Sequence, residues 1–229
     1  MATPITVGAI GATGQTVANG LLASSTNFKL GIIAAIKRAH PPYTVINLGC
    51  WYQVFVPKVP SGRSDHAHSK FLDHRIVDDE NQSLALTDMA YIGIYVANII
   101  ADPRTLTRHV FAYTEVLSMN EIWDAMATTS EETPPKTTCV DPLIKEIIET
   151  WGKKLRASPH SAHHSNNIMD TTNFNMGQYH ISWCVWGDDT PEYADNLGYL
   201  DFWKLYPSFP KGRSLGTFYQ QILVEAVQG

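Results

Sequence analysis

Near the start of the chain, Ile5-Thr6-Val7-Gly8-Ala9-Ile10-Gly11-Ala12-Thr13-Gly14-Gln15-Thr16 forms an apolar, β-branched run broken by glycines. A strand that ends in Gly-Ala-Thr-Gly and passes into a helix gathers bare backbone N–H groups and the positive end of a helix dipole at one point. That arrangement suits a dinucleotide pyrophosphate. Gly11 would make the tight turn, Gly14 would let the phosphates approach, and Ala12, Thr13 and Gln15 would complete the cradle. Read as Gly11-x-x-Gly14-x-x-Val17, the third glycine of the usual fingerprint is replaced by valine. Reading Gly8, Gly11 and Gly14 restores three glycines but puts Gly8 inside the strand. A plain glycine-rich turn is the alternative; position favours the cradle, because Val17, Leu21 and Leu22 follow at helical spacing.

The remaining composition narrows the class. At 229 residues and 44% hydrophobic, the chain can bury a sizeable core. A net charge of -5, with no basic run, argues against nucleic acid or an anionic membrane surface as direct partner. Cys50, Cys139 and Cys184 lack metal-type spacing and read as reduced thiols packed in an intracellular protein. The apolar stretch from Tyr43 to Val56 ends at Pro57 and Lys58, far short of a membrane span, and no basic region precedes the first apolar run. A cytoplasmic location is expected.

Along the chain, Gln15 to Ser25 reads as a short helix. Asn27 to Ala39 fits either a strand at Phe28–Ile33 or, as preferred here, a helix with Leu30, Ile33 and Ile36 on one side, stopped by Pro41 and Pro42. Tyr43 to Leu48 reads as a buried strand and Gly49 to Ser69 as a loop. Thr87 is placed as the cap of a helix from Asp88 to Ala101, closed by Asp102-Pro103. Val110 to Tyr113 reads as a short strand, and Ser118-Met119-Asn120-Glu121 as a capping box opening a helix through Met126. Asp141-Pro142 opens a helix to about Ala157, Tyr179 to Trp186 reads as a strand, and Thr217 to Val227 as a final amphipathic helix.

Several of these segments, in this order, resemble the NmrA-like branch of the atypical short-chain dehydrogenases, in particular its isoflavone reductase-like and phenylcoumaran benzylic ether reductase-like group. The resemblance is carried by the Gly11-Ala12-Thr13-Gly14 turn, Pro42-Tyr43-Thr44, Asp102-Pro103-Arg104-Thr105-Leu106, Asn120-Glu121-Ile122, Leu197-Gly198-Tyr199 and Leu205-Tyr206-Pro207. It covers roughly the first 25 residues and nearly everything after Lys29. It implies a Rossmann-type parallel sheet that binds NADPH, a smaller C-terminal α+β substrate domain, and reduction of small, often phenylpropanoid-like molecules. It also implies a lysine 13 residues before the proline of the Pro-Tyr-Thr strand that assists proton transfer; counted back from Pro42, that position is Lys29. A buried lysine can serve near neutral pH, while a surface lysine is the plainer alternative.

The departure from the family is a shortened middle. Only 28 residues lie between Gly14 and Tyr43, too few for the strand-helix units of a doubly wound sheet, and Asn27-Phe28-Lys29 resembles a join. The expected fold is therefore α/β, a truncated Rossmann-type sheet, with residues 1–50 a remnant of the dinucleotide-binding domain and 51–229 the remaining elements and the substrate side. Helix faces left without cover would favour self-association. A non-catalytic nucleotide-sensing regulator or a degenerate paralogue is the alternative to a reductase.

Trp51, Tyr52 and Phe55 would either line a small-molecule substrate pocket, as the resemblance implies for this loop, or anchor the loop in the core. Asp65, His66 and His68, and His160, His163 and His164, sit in polar loops without orienting partners, so no metal site is expected. Asp188 and Asp189 read as a turn before Thr190-Pro191. Trp183 and Trp186, on a strand, would face opposite sides.

Overall fold

The computed structural model describes residues 9–10, 42–69, 76–77, 81–139, the helical positions 142, 145–146, 148–150 and 152–153, and 177–228. The glycine turn, Lys29, the segments 15–25 and 27–39, and His160, His163 and His164 lie outside the described residues.

The described fold is α/β with a parallel sheet. Strand β1 (Ala9–Ile10) pairs with β2 (Thr44–Leu48), β2 with β6 (Arg108–Ala112), and β6 with β9 (Leu200–Asp201), all parallel, in the order β1-β2-β6-β9. Thr44, Val45 and Ile46 are β-branched, which suits a pleated and covered surface. Beneath one face lies α1 (Met89–Ala101), and Ile46, Val110 and Ala112 pack there with Tyr95, Ile99 and Phe202. Asp88 caps α1 by accepting a hydrogen bond from the Ala90 N–H at 3.0 Å, and Asp102-Pro103 ends it because proline cannot continue the helix.

A second sheet grows out of the first. After a single residue, Gly49, β2 continues as β3 (Cys50–Trp51); after Tyr113 and Thr114, β6 continues as β7 (Glu115–Ser118). Strand β5 (Ser83–Thr87) enters between these two continuations, parallel to β3 and antiparallel to β7. Two neighbours in the first sheet are thus split apart in the second. A short parallel pair, β4 (Ile76–Val77) and β8 (Thr138–Cys139), lies apart from both sheets.

Leu84 and Leu86 of β5 face the largest core. Tyr52, Phe55, Met119, Ile122, Trp123 and Met126 meet Leu215, Phe218, Tyr219 and Ile222 there. Two helices cover it. One is α2 (Met119–Ser130), opened by the expected capping box: Ser118 Oγ accepts from the Glu121 N–H, and the Glu121 carboxylate accepts from the Ser118 N–H at 2.7 Å. The other is α5 (Leu215–Gln228). Between α2 and α5 in the chain stand α3 (Pro191–Asn196), capped by Thr190, and α4 (Phe202–Leu205), capped by Asp201.

Two expectations are corrected. Residues 177–181 are helical and continue into a π-helical turn, Ser182–Trp186, rather than a strand. The buried positions His180, Ile181 and Cys184 recur at helical spacing, and Tyr179 stacks on Trp183, one turn on, at 4.6 Å. Gly187, at φ 70°, stops the turn. Trp183 consequently packs inward on Phe55, while Trp186 is 65% exposed. Thr87 ends β5 instead of capping α1; its neighbour Asp88 is the cap.

The seam between the sheets admits no side chain at Gly49, where a Cβ would stand 2.7 Å from both C and O of Ala85. Gly49→Ala is expected to lower the free energy of unfolding by about 3 kcal/mol, the upper range for overpacking. Chemical denaturation checks this, and an unchanged midpoint would show that the seam yields.

Candidate functional site

In an open parallel sheet the ligand crevice lies outside the carboxyl ends of the strands. Here those ends fall within one residue of each other: Ile10 is in register with Asn47, Leu48 with Ala112, and Phe111 with Asp201. The described part of β1 runs to Ile10, and the next residues in sequence are Gly11-Ala12-Thr13-Gly14.

Beyond the strand ends, polar groups are held by one another. The Gly49 N–H donates to the Ala112 carbonyl at 3.1 Å and the Thr114 N–H to the Leu86 carbonyl at 2.7 Å, which locks the seam. Thr114 Oγ1 accepts from the Asp88 N–H at 3.2 Å and lies 3.1 Å from the Tyr95 hydroxyl. Asp88 is fully buried, and its carboxylate accepts from Arg213 Nε at 2.5 Å, Arg213 Nη2 at 3.1 Å and Gln53 Nε2 at 3.1 Å. Burial opposes its ionisation, yet the donors Arg213, Ala90 and Gln53 outweigh that and hold the carboxyl below its ordinary range.

Glu115 Oε1 accepts from the Tyr52 hydroxyl at 2.6 Å and from the Leu215 N–H at 2.7 Å. Tyr113 donates to Asp201 at 3.0 Å, and Trp203 Nε1 donates to the Tyr113 carbonyl at 2.8 Å. Burial, then Glu115 for Tyr52 and Asp201 for Tyr113, pushes both phenols up, so they are neutral donors here.

At the other side of the seam, Asp189 Oδ2 accepts from the Cys50 N–H at 3.3 Å and from its Sγ at 3.2 Å. Burial pushes the Asp189 carboxyl up to about 7, with the Cys50 donors working against it. Burial and the adjacent Asp189 push the Cys50 thiol up, which leaves it a poor nucleophile.

Among the described residues, one polar atom at this edge has no partner: Asn47 Nδ2 is buried without a hydrogen bond. Leaving such a donor unpaired disfavours the fold by about 1–3 kcal/mol.

The aromatic trio separates. Tyr52 and Phe55 are buried in the largest core, with Tyr52 against Phe218 and Phe55 against Trp183, so both anchor the loop. Trp51 is half-buried on β3, opposite Thr87. His66 is exposed, and His68 Nδ1 lies 2.7 Å from the Val56 carbonyl. Among the described residues no group of three or more His, Cys, Asp or Glu is placed to hold a metal. Asn47, Asp88, Thr114 and Arg213 were not singled out by sequence; a polar residue inside Thr44–Leu48 was the one available signal.

No protein-family model matches the chain. It is 34% identical to asnovolin J 5',6'-dehydrogenase of Aspergillus novofumigatus over 179 residues, 78% of this chain and 53% of that protein. Among solved structures it resembles isoflavone reductase, with TM-score 0.61 and 19% identity over 84% of this chain and 56% of that one. It also resembles the leucoanthocyanidin reductase–NADPH complex from Vitis vinifera, with TM-score 0.60 and 15% identity over 84% and 56% of the two chains. A third neighbour is AtPrR2 with NADP+ and (+)pinoresinol, with TM-score 0.57 and 19% identity over 85% and 55%. The fold is that of isoflavone reductase and leucoanthocyanidin reductase, as the resemblance implied. The chain spans about half the length of the relatives it matches, in keeping with its shortened middle.

The Asp189 carboxyl, at about 7 in the folded chain against an ordinary 3.8, holds its proton more tightly when folded. Its stabilising contribution is complete below the ordinary value and is lost as pH rises through the folded one. Denaturation midpoints measured from about pH 5 to about pH 8 should therefore fall more steeply for the parent chain than for Asp189→Asn. Parallel curves would show that this carboxyl is not shifted.

Proposed function

We propose that the chain is a cytoplasmic, NADPH-binding protein of the reductase lineage that acts on a small phenylpropanoid-like or related molecule. The observation that carries this reading is the alignment of β1, β2 and β6 with level carboxyl ends, β1 leading in sequence into Gly11-Ala12-Thr13-Gly14. The relative from Aspergillus supports hydride chemistry by its name, a dehydrogenase, and the structural neighbours by theirs, reductases.

When bound, the nicotinamide would supply or accept the hydride. Gly11, Ala12, Thr13, Gly14 and Gln15 would take the pyrophosphate on backbone N–H groups, and Lys29 would give or receive the accompanying proton. The described residues fit such a group: the strand ends are level at one edge of the sheet, and a buried amide donor there has no partner among them. Of the aromatic trio, Trp51 would be the one to meet a substrate, because Tyr52 and Phe55 are enclosed. Titration of the purified chain with NADPH, followed by nicotinamide fluorescence, should give a saturable signal between micromolar and millimolar cofactor. No saturation at millimolar NADPH would overturn the proposal.

Self-association belongs to the same reading. Helix α1 carries no charged residue, and Met89, Ile94 and Ile100 are 45%, 47% and 56% exposed along it. Light-scattering mass should rise with protein concentration. A constant monomer mass across the series would refute this.

A further inference from the structure

Strand β2 holds one amide side chain inside an otherwise apolar and β-branched run: Asn47 in Thr44–Leu48. Ile46 packs in the core beneath α1, so the pleat turns Asn47 to the opposite face, which it shares with its register partner Phe111. Phe111 belongs there to an apolar cluster with Ala85 and Ala194. Its buried members Phe111, Ala85 and Ala194 carry no side-chain acceptor, the Tyr113 and Tyr199 hydroxyls packed beside them are not bonded to it, and among the described residues the buried Asn47 Nδ2 has no partner. Buried amides are almost always paired, so an exception calls for a reason, whether strain, a catalytic or binding role, or a bridging water or ion.

Its location says what that is. Asn47 is level with Ile10, the last described residue of β1, and one residue short of the end of β2. It therefore stands where the crevice of a parallel sheet opens. We propose that the Asn47 carboxamide is a cofactor-binding group, donating from Nδ2 to an acceptor oxygen of the nicotinamide dinucleotide; this rests on the reading above that the chain binds NADPH. The amide does not titrate, so its contribution is to affinity and orientation and is the same across the neutral pH range.

Asn47→Leu removes the donor while keeping most of the volume. The unliganded variant should melt at the same temperature as the parent chain or higher, since an unpaired donor gives way to an apolar group. Its Kd for NADPH, read by nicotinamide fluorescence, should weaken about tenfold, the loss of one hydrogen bond. Should Asn47→Leu fail to fold, Asn47→Ala gives the same comparison of affinity. Equal NADPH affinity in variant and parent would overturn the assignment and leave the cofactor reading standing. A lower melting temperature with unchanged affinity would likewise overturn it, by showing a structural role. No saturable binding by the parent chain would overturn the cofactor reading and this assignment with it.

Discussion

The contact between the backbones of Gly49 and Ala85 decides the shape of this protein. Only a residue without a Cβ lets β5 come so close to the end of β2. That approach lets β5 enter between the continuations of β2 and β6, which turns one parallel sheet into two. The alternation of β5 then serves both layers: Leu84 and Leu86 point into the large core, and Ala85 into the small cluster with Phe111 and Ala194.

The split leaves backbone and side-chain polar groups stranded between the sheets, and a second set of contacts answers it. Thr114, Asp88, Gln53 and Arg213 form one chain of hydrogen bonds, and Tyr52, Glu115 and the Leu215 N–H another. Asp88 could not stay ionised at full burial without Arg213, since a buried carboxylate is tolerated only when paired and hydrogen-bonded. The guanidinium also lies over the Phe218 ring, 5.0 Å from its centre, so the strut that neutralises Asp88 is itself fixed by α5.

Elements specified by neighbouring residues were legible in the sequence. The β-branched Thr44-Val45-Ile46, the Asp102-Pro103 stop and the Ser118–Glu121 box each act over one turn or one strand, and each appears as expected. What was not legible depends on distance in the chain. Ser83–Thr87 is covered on both faces, so its sequence shows no alternation to announce a strand. The segment around Trp183 offers aromatic residues that suit either period, and packing on Phe55 selects the helix. Tyr52 and Phe55 resemble the lip of a cleft until α5 is seen lying across them. Arg213 gave no local sign of its role, because its partner Asp88 is 125 positions earlier.

That distance bears on how the chain reaches this state. The Tyr219 hydroxyl donates to the Phe55 carbonyl across 164 positions, and Leu215, Phe218 and Ile222 close the same core. During synthesis Phe55, Leu84 and Leu86 emerge long before the residues that shelter them. Until α5 has been made, a nascent chain would present a greasy trough to whatever surrounds the ribosome, and its final collapse would be slow because it must close so long a loop. A holding chaperone that recognises apolar surface would find its substrate in that interval.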